Sequence, residues 1–266
     1  MTVQLAYQEF GPEGPEAGDG VPPLVIAHGV FGSSRNFQTL AQRLATNRRV
    51  FVADMRNHGE SPWANSMEYS AMAQDLGSLV EEHAGGRAII LGHSMGGKAA
   101  MALALSRPEL VAGLIVADIA PVASAESLVG YVHAMQGLDL SAISRRSEAG
   151  TLLAKTVPQP MLRAFFLQSL AIENGQPRWR LNLPTLEAGM DAIIGWPEEY
   201  SGRTYGGSSL FIYGGASDHE VGKAEPEIRK LFPKAELQEI EGAGHWLHAE
   251  KPDEFAVAVE GWLARL

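Results

Sequence analysis

Short runs of uniformly apolar residues recur along this chain, and they constrain its fold more than any other feature. The run Leu24–Ala27 contains no polar side chain. A short, wholly apolar run is typical of a strand that is buried on both faces, as in a parallel sheet. Runs of the same type predict further strands at residues 50–53, 88–91, 113–117 and 210–213, and a weaker one at 235–240.

Helical periodicity fills most of the intervals between these runs. Apolar residues within 37–44 keep an i, i+3, i+4, i+7 spacing, residues 97–106 are rich in Ala, Leu and Met, and residues 255–263 fit a closing amphipathic helix. Strands that alternate with helices form right-handed βαβ units, which bring the carboxyl ends of the strands to one edge of the sheet. Active sites of open α/β folds lie at that edge.

The alternation stops in the middle of the chain. Between residues 121 and 205 the sequence shows helical patterns, including 161–172 and 186–194, but no convincing buried strand. We interpret this segment as a helical cap inserted over the strand ends. Residues 1–120 and 206–266 are then expected to form the core domain.

The pentapeptide Gly92-His93-Ser94-Met95-Gly96 joins a predicted strand directly to a predicted helix. In that context a G-x-S-x-G sequence forms a tight turn that holds its serine above the sheet edge. The turn has no room for side chains at its two glycine positions. The amino end of the helix directs N–H groups and partial positive charge at a ligand. The motif therefore predicts Ser94 as a nucleophile.

A serine hydroxyl needs a neighbouring base and a carboxylate that orients that base. His245 is the preferred base because it lies in a loop of small residues after the last predicted strand, and His248 is the alternative. For the carboxylate, Asp118 ends the fourth predicted strand and Asp218 follows the fifth, so either loop can reach the histidine. Glu220 is a more distant alternative. These patterns leave the choice between Asp118 and Asp218 open.

Two backbone N–H groups are also needed to stabilise negative charge on the attacked oxygen. One is expected from Met95, the residue after the nucleophile. The other is expected from the loop after the first predicted strand, most simply from Val30 and otherwise from Phe31. We interpret His28, His58 and His93, which sit at strand ends, as residues that orient loops by hydrogen bonding.

Composition excludes several other classes of protein. Acidic residues outnumber basic ones 31 to 21 and the formal net charge is −10, so nucleic acid and anionic membranes are poor candidate partners. The chain has no cysteine, which excludes disulfides, a thiolate nucleophile and cysteine-ligated metals. No apolar run reaches the ~18 residues of a membrane span and no signal peptide is recognisable, so a cytoplasmic location is expected.

Three further expectations concern ligands and organisation. No histidine pair has the spacing of metal ligands, and we expect neither a metal nor a cofactor. The chain is expected to be a monomer or a small homo-oligomer that acts on a small-molecule substrate. Residues 11–23 are rich in Gly, Pro and Glu, which predicts an exposed loop.

Sequence blocks outside the predicted cap resemble the α/β-hydrolase superfamily. The blocks are HGVFGS at 28–33, DMRNHGES at 54–61, GHSMGGK at 92–98 and GAGHW at 242–246. The narrower details RNHG at 56–59, GGK at 96–98 and DIAPV at 118–122 are similar to YbfF-like bacterial esterases and their mitochondrial relatives. The resemblance implies an α/β-hydrolase fold, with a mostly parallel central sheet flanked by helices and an inserted helical cap.

The resemblance also implies an activity and an acid. YbfF-like proteins are associated with hydrolysis of short- to medium-chain acyl esters and thioesters, through a Ser-His-Asp triad and an acyl-enzyme. In that subfamily the acid lies at the D-I-A-P strand end, which favours Asp118, although this chain also carries Asp218 in the later loop. Asp54 and Arg56 match a loop motif that we interpret as structural.

Two other classes of function remain as alternatives. C–C bond hydrolysis, lactone opening and perhydrolysis all run on the same triad, and fold analogy does not choose among them. A ligand-binding receptor of the same fold is the non-enzyme alternative, but it has no need of an intact serine, histidine and acid. Some apolar residues of the cap are expected to line an acyl pocket, drawn from Met135, Met161, Phe165, Phe166, Trp179 and Trp196.

Overall fold

A computed structural model of the chain describes residues 1–12, 20–124 and 127–266. Most of the loop predicted at residues 11–23 lies outside the described residues. The strands are β1 (Tyr7–Phe10), β2 (Leu24–Ala27), β3 (Val50–Ala53), β4 (Ala88–His93), β5 (Val111–Ala117), β6 (Leu170–Glu173), β7 (Gln176–Trp179), β8 (Ser209–Gly214) and β9 (Ala235–Ile240). The α-helices are α1 (Gln38–Leu44), α2 (Tyr69–His83), α3 (Met95–Ser106), α4 (Val129–Gln136), α5 (Arg146–Leu153), α6 (Pro160–Gln168), α7 (Leu183–Ala188), α8 (Met190–Ile194), α9 (Glu225–Leu231), α10 (Leu247–Glu250) and α11 (Pro252–Leu263).

The central sheet has seven strands in the order β1-β3-β2-β4-β5-β8-β9. Strand β1 is antiparallel to β3, and the other neighbours pair in parallel. The predicted, mostly parallel sheet is therefore confirmed. The edge strand β1 has no counterpart among the predicted strands, because Tyr7–Phe10 mixes polar and apolar residues and lacks the uniform apolar signature.

Burial on both faces explains why the central strands are apolar throughout. Val25 belongs to a core that includes residues of α2 and α3, while Leu24 and Ile26 belong to a second core with residues of α1 and α11. All three side chains are fully buried. Successive residues of a strand point to opposite faces, so helices on both sides bury every position of β2 and favour an apolar side chain at each one.

Segment 121–205 departs from the prediction in its second half. The helix predicted over residues 161–172 ends at Gln168, and β6 follows and pairs with β7 in an antiparallel hairpin. Asn174 and Gly175 form the turn with positive φ values of 51° and 76°. An Asn-Gly turn of this kind matches the twist of paired strands, which is why the chain reverses here instead of continuing as a helix.

The other helical pattern of that segment is interrupted. The prediction over residues 186–194 corresponds to two short helices, α7 and α8, which meet at Gly189. A Cβ at Gly189 would lie 2.8 Å from the Cβ of Met67, so the chain passes too close to its neighbour for a larger residue.

Among the described residues, no helix is both long enough and apolar enough to span a membrane.

Candidate active site

Ser94 occupies a strained turn between β4 and α3. Its φ and ψ are 52° and −119°, a backbone conformation that side-chain-bearing residues rarely adopt. A Cβ at Gly92 would lie 2.2 Å from the Gly96 carbonyl oxygen, and a Cβ at Gly96 would lie 2.3 Å from the carbonyl oxygen of Ala27. The predicted need for glycine on both sides of Ser94 follows from these contacts.

His245 and Asp118 come together from two different loops. The Nδ1 atom of His245, in the loop after β9, lies 2.8 Å from Oδ2 of Asp118 at the end of β5. The Asp118 side chain is fully buried, whereas the His245 side chain is 20% exposed. A buried carboxylate on Nδ1 fixes that nitrogen as the proton donor and leaves Nε2 free to accept a proton.

Asp118 is held by more than the imidazole. The Gly214 N–H donates to its Oδ1 at 2.9 Å, and the Ser217 hydroxyl donates to its Oδ2. Its own φ of 52° is a second strained backbone position at this sheet edge. Asp218 is exposed, and its carboxylate accepts no hydrogen bond from any described residue. The structure thus brings Asp118 to His245 and leaves Asp218 at the surface.

The backbone on both sides of His245 is anchored, and sequence reasoning missed one of the anchors. The Gly244 N–H donates to Glu250 Oε2 at 2.7 Å, and the Trp246 N–H donates to Glu250 Oε1 at 3.2 Å. The His93 ring donates from Nε2 to the carbonyl oxygen of His245 at 2.9 Å. A carboxylate five residues after the candidate base was the available signal for Glu250.

The loop after β2 contributes Val30, which lines the same cavity as Ser94. Phe31, the alternative oxyanion donor, has its N–H engaged by Nε2 of His58 at 3.1 Å. Val30 and Met95, the preferred donors, have backbone N–H groups without a partner among the described residues. Burial lowers the pKa of His58 to about 3, so its Nε2 is an acceptor and its Nδ1 donates to the Arg56 carbonyl.

The loop histidines and the Asp54–Arg56 motif act as braces. The Met55 N–H donates to Nε2 of His28 at 3.0 Å, which ties the loop after β2 to the end of β3. The guanidinium of Arg56 donates from Nε to Asp75 at 2.6 Å in a fully buried ion pair. Asp54 accepts from the backbone N–H of Ser34 at 2.6 Å. These contacts match the structural interpretation made from the sequence.

A cavity of about 800 Å³ opens above Ser94. Its walls come from the sheet edge and from segment 121–205, and they include the apolar side chains of Tyr131, Leu162, Phe165, Phe166 and Ile193. Of the residues of segment 121–205 that were expected to line a pocket, Phe165 and Phe166 do so. Met135 and Trp179 are buried in the core instead, and Met161 is 61% exposed. Trp196 does not line this cavity and packs against Tyr200, with ring centroids 5.4 Å apart.

His219 lies against the candidate base, although no sequence pattern singles it out. Its ring centroid is 4.2 Å from that of His245. Burial, together with the neighbouring imidazole, lowers the pKa of His219 to about 4. His248, the alternative base, instead stacks on Phe37 at 4.4 Å, and burial lowers its pKa to about 3.

Lys98 ties the nucleophile's helix to segment 121–205. Its Nζ donates to the carbonyl oxygens of Ile194 at 2.8 Å and Gly195 at 2.7 Å, at the carboxyl end of α8. Burial lowers the pKa of this ammonium group to about 7. A cation at a helix carboxyl end is favourable, so Lys98 ties the carboxyl end of α8 to α3, the helix that follows Ser94.

The chain is similar to known proteins in both sequence and structure. The profile described as "Alpha/beta hydrolase family" matches residues 24–259. The sn-1-specific diacylglycerol lipase ABHD11 of Mus musculus is 40% identical over 252 residues, covering 92% of this chain and 81% of that protein. Esterase YbfF of Escherichia coli (strain K12) is 34% identical over 245 residues, covering 91% and 92%. The solved structure of a marine microorganism esterase matches with a TM-score of 0.90 at 33% identity, covering 98% of this chain and 99% of that one.

Proposed function

Since this chain belongs to the alpha/beta hydrolase family, with esterases and lipases among its relatives, we propose that it hydrolyses acyl esters through Ser94, His245 and Asp118. The α/β-hydrolase fold implied by the sequence resemblance is confirmed by the same match. The observation that carries the proposed triad is the 2.8 Å contact between His245 Nδ1 and the buried Asp118 carboxylate. His245 lines the same cavity as Ser94, which is held in a strained turn.

The proposed reaction has two steps. His245 Nε2 takes the proton of the Ser94 hydroxyl while Oγ attacks the ester carbonyl carbon, and the same proton then passes to the departing alcohol as the C–O bond breaks. Water, deprotonated by His245, next attacks the acyl carbon of the acyl-enzyme. The bond from that carbon to Ser94 Oγ breaks, the proton passes from His245 to Oγ, and the acid is released. The negative Asp118 stabilises the imidazolium in both steps, and the steps use no cofactor.

The proposed oxyanion hole consists of the N–H groups of Met95 and Val30. Both lack a partner among the described residues, so both are available to the charged oxygen of the tetrahedral intermediate. The Phe31 N–H already donates to His58, which makes it the poorer choice. Loss of one such donor typically costs ~2.7–4 kcal/mol of transition-state stabilisation.

We propose that the acyl chain binds in the apolar part of the cavity and that segment 121–205 forms a cap that covers it. Phe165 and Phe166 of α6 supply apolar surface, and desolvation of alkyl groups there favours binding by about 0.8 kcal/mol per CH₂. Short- to medium-chain esters, and thioesters with the same acyl groups, are the proposed substrates. Diacylglycerol is a second candidate, because one relative at 40% identity is named a diacylglycerol lipase.

A panel of p-nitrophenyl esters from acetate to decanoate, with an acyl thioester and diacylglycerol as separate arms, tests the proposal. Ser94→Ala should abolish turnover of every substrate that the wild type cleaves. Ser106→Ala, at the exposed far end of the same helix, is the matched control and should retain full activity. A fluorophosphonate should label the wild type on Ser94. Absence of turnover above Ser94→Ala for all arms would overturn the proposal.

A further inference from the structure

His219 has no part in the proposed reaction, yet it completes a group of metal-ligand side chains. One ligand atom each from Asp118, His219 and His245 lies within 4.8 Å of the other two. The three residues come from separate loops, after β5, β8 and β9, so their convergence depends on the fold and not on sequence spacing. Two imidazoles and one carboxylate are the ligand types that zinc takes in proteins.

We propose that Asp118, His219 and His245 form a site for a divalent transition-metal ion of the zinc class, and that an ion bound there inhibits the enzyme. The inhibitory effect rests on the proposed function, whereas the binding does not. Tetrahedral ligands ~2.0–2.1 Å from zinc lie about 3.3 Å apart. His245 Nδ1 and Asp118 Oδ2 lie 2.8 Å apart, so these two atoms separate by about 0.5 Å when they bind zinc. His219 adjusts its ring from within the 4.8 Å group.

The surroundings permit that movement and favour a cation. His219 lies in a loop whose residues 215, 216, 218 and 220 are exposed, so the loop can adjust the position of its ring from the solvent side. Asp218 precedes it and adds negative charge to the loop, whereas Glu220 on its other side is paired with Lys223. The group borders the cavity, which leaves the fourth coordination position open to water. Magnesium and calcium prefer oxygen ligands and should not bind here.

Metal binding and the proposed catalysis need the same nitrogen in different states. An ion on Nδ1 of His245 takes the lone pair of that nitrogen, and the proton that was there moves to Nε2 of the same ring. Nε2 then carries a hydrogen and cannot accept the proton of Ser94. Asp118 becomes a metal ligand instead of the partner of the imidazole. Bound metal therefore disables the base without altering the serine.

Zinc chloride titration of ester hydrolysis provides the first measurement. Turnover should fall with zinc and recover when EDTA is added, and magnesium chloride should have no effect. His219→Gln should raise the half-inhibiting zinc concentration by at least about 10–100-fold, since loss of even an outer-shell partner of a metal ligand has an effect of that size. Each variant is compared with its own uninhibited rate. His133→Gln is the matched control, because His133 forms an exposed pair with Glu187 on the surface. It should leave inhibition unchanged.

Calorimetry with zinc chloride on Ser94→Ala measures binding without turnover. One ion per chain should bind, and His219→Gln in the same background should weaken that binding by the same factor as the inhibition. Absence of binding, or equal binding with and without His219, overturns the metal site. If zinc binds but no ester is cleaved by the wild type, the proposed function fails and the metal site stands. If ester is cleaved but zinc does not bind, the metal site fails and the proposed function stands.

Discussion

Asp118→Asn should remove the charge that orients His245 while it keeps the shape of the side chain. The wild-type carboxylate accepts hydrogen bonds from the His245 ring, the Gly214 N–H and the Ser217 hydroxyl. An amide has one oxygen and one NH₂ group, so it cannot accept from all three donors. A proton shift from Nδ1 to Nε2 of His245 is the simplest way to avoid two donors facing each other, and that tautomer cannot deprotonate Ser94.

The size of the effect follows from this change of tautomer. The same Asp-to-Asn change in a Ser-His-Asp enzyme lowers kcat about 10⁴-fold. At 1.36 kcal/mol per tenfold change in rate, that is ~5.4 kcal/mol of transition-state stabilisation. The side chain of Asp118 is fully buried, so water cannot substitute for the lost charge. KM should change much less, because the carboxylate does not contact the acyl group in the proposed reaction.

Steady-state hydrolysis of a p-nitrophenyl ester measures both constants for Asp118→Asn and for Asp218→Asn. Asp218 is exposed and has no hydrogen bond to a described residue, so its variant should keep kcat within a few-fold of wild type. Circular dichroism and thermal unfolding establish that both variants are folded. A folded Asp118→Asn with more than roughly a tenth of the wild-type kcat would refute the reasoning. An equal loss in Asp218→Asn would do so as well.

Glu250→Gln should lower kcat roughly tenfold at constant KM, because the amide keeps only one of the two acceptors for the N–H groups beside His245. Glu254→Gln on the exposed face of α11 is the control. An unchanged kcat in Glu250→Gln would contradict the positioning role of Glu250. Acid should destabilise the fold through His58, whose pKa of about 3 lies below the ordinary histidine value of 6.5. Its contribution is complete above pH 6.5 and is lost as pH falls toward 3, by roughly 2 kcal/mol at pH 5. Urea unfolding at about pH 7 and about pH 5 measures this loss, and an equal loss in His58→Gln would contradict it.

The central strands could be predicted because burial on both faces leaves a local signature. Strands β2 and β3 coincide with apolar runs at the predicted positions, and β9 coincides with the weaker pattern at 235–240. The hairpin of β6 and β7 was missed because the helical spacing of α6 was extended across Ser169. The Asn174-Gly175 turn was the signal that marks the reversal, and the pattern on its amino-terminal side concealed it.

The residues of the candidate site also differ in whether the local sequence predicts them. Ser94 and His245 have local signals, a strained strand-to-helix turn and a small-residue loop. Asp118 and Asp218 have nearly equivalent signals, because each follows a strand and β5 and β8 are neighbours in the sheet. Which carboxylate meets the imidazole depends on how each loop leaves its strand. Asp118 turns at once, with a φ of 52°, and remains buried.

The source of the carboxylate also explains why His219 lies where it does. Because Asp118 at the end of β5 reaches His245, the loop after β8 need not supply an acid. Its Ser217 instead donates to Asp118, and its His219 lies against the imidazole. The loop after β8 thus places a second nitrogen ligand, His219, beside the pair formed by Asp118 and His245. The ambiguity between two acids and the proposed zinc site therefore have one structural cause, which is that the loops after β5 and β8 both end near His245. Ser217→Ala loosens the loop after β8 from Asp118 and should weaken zinc binding and lower kcat together.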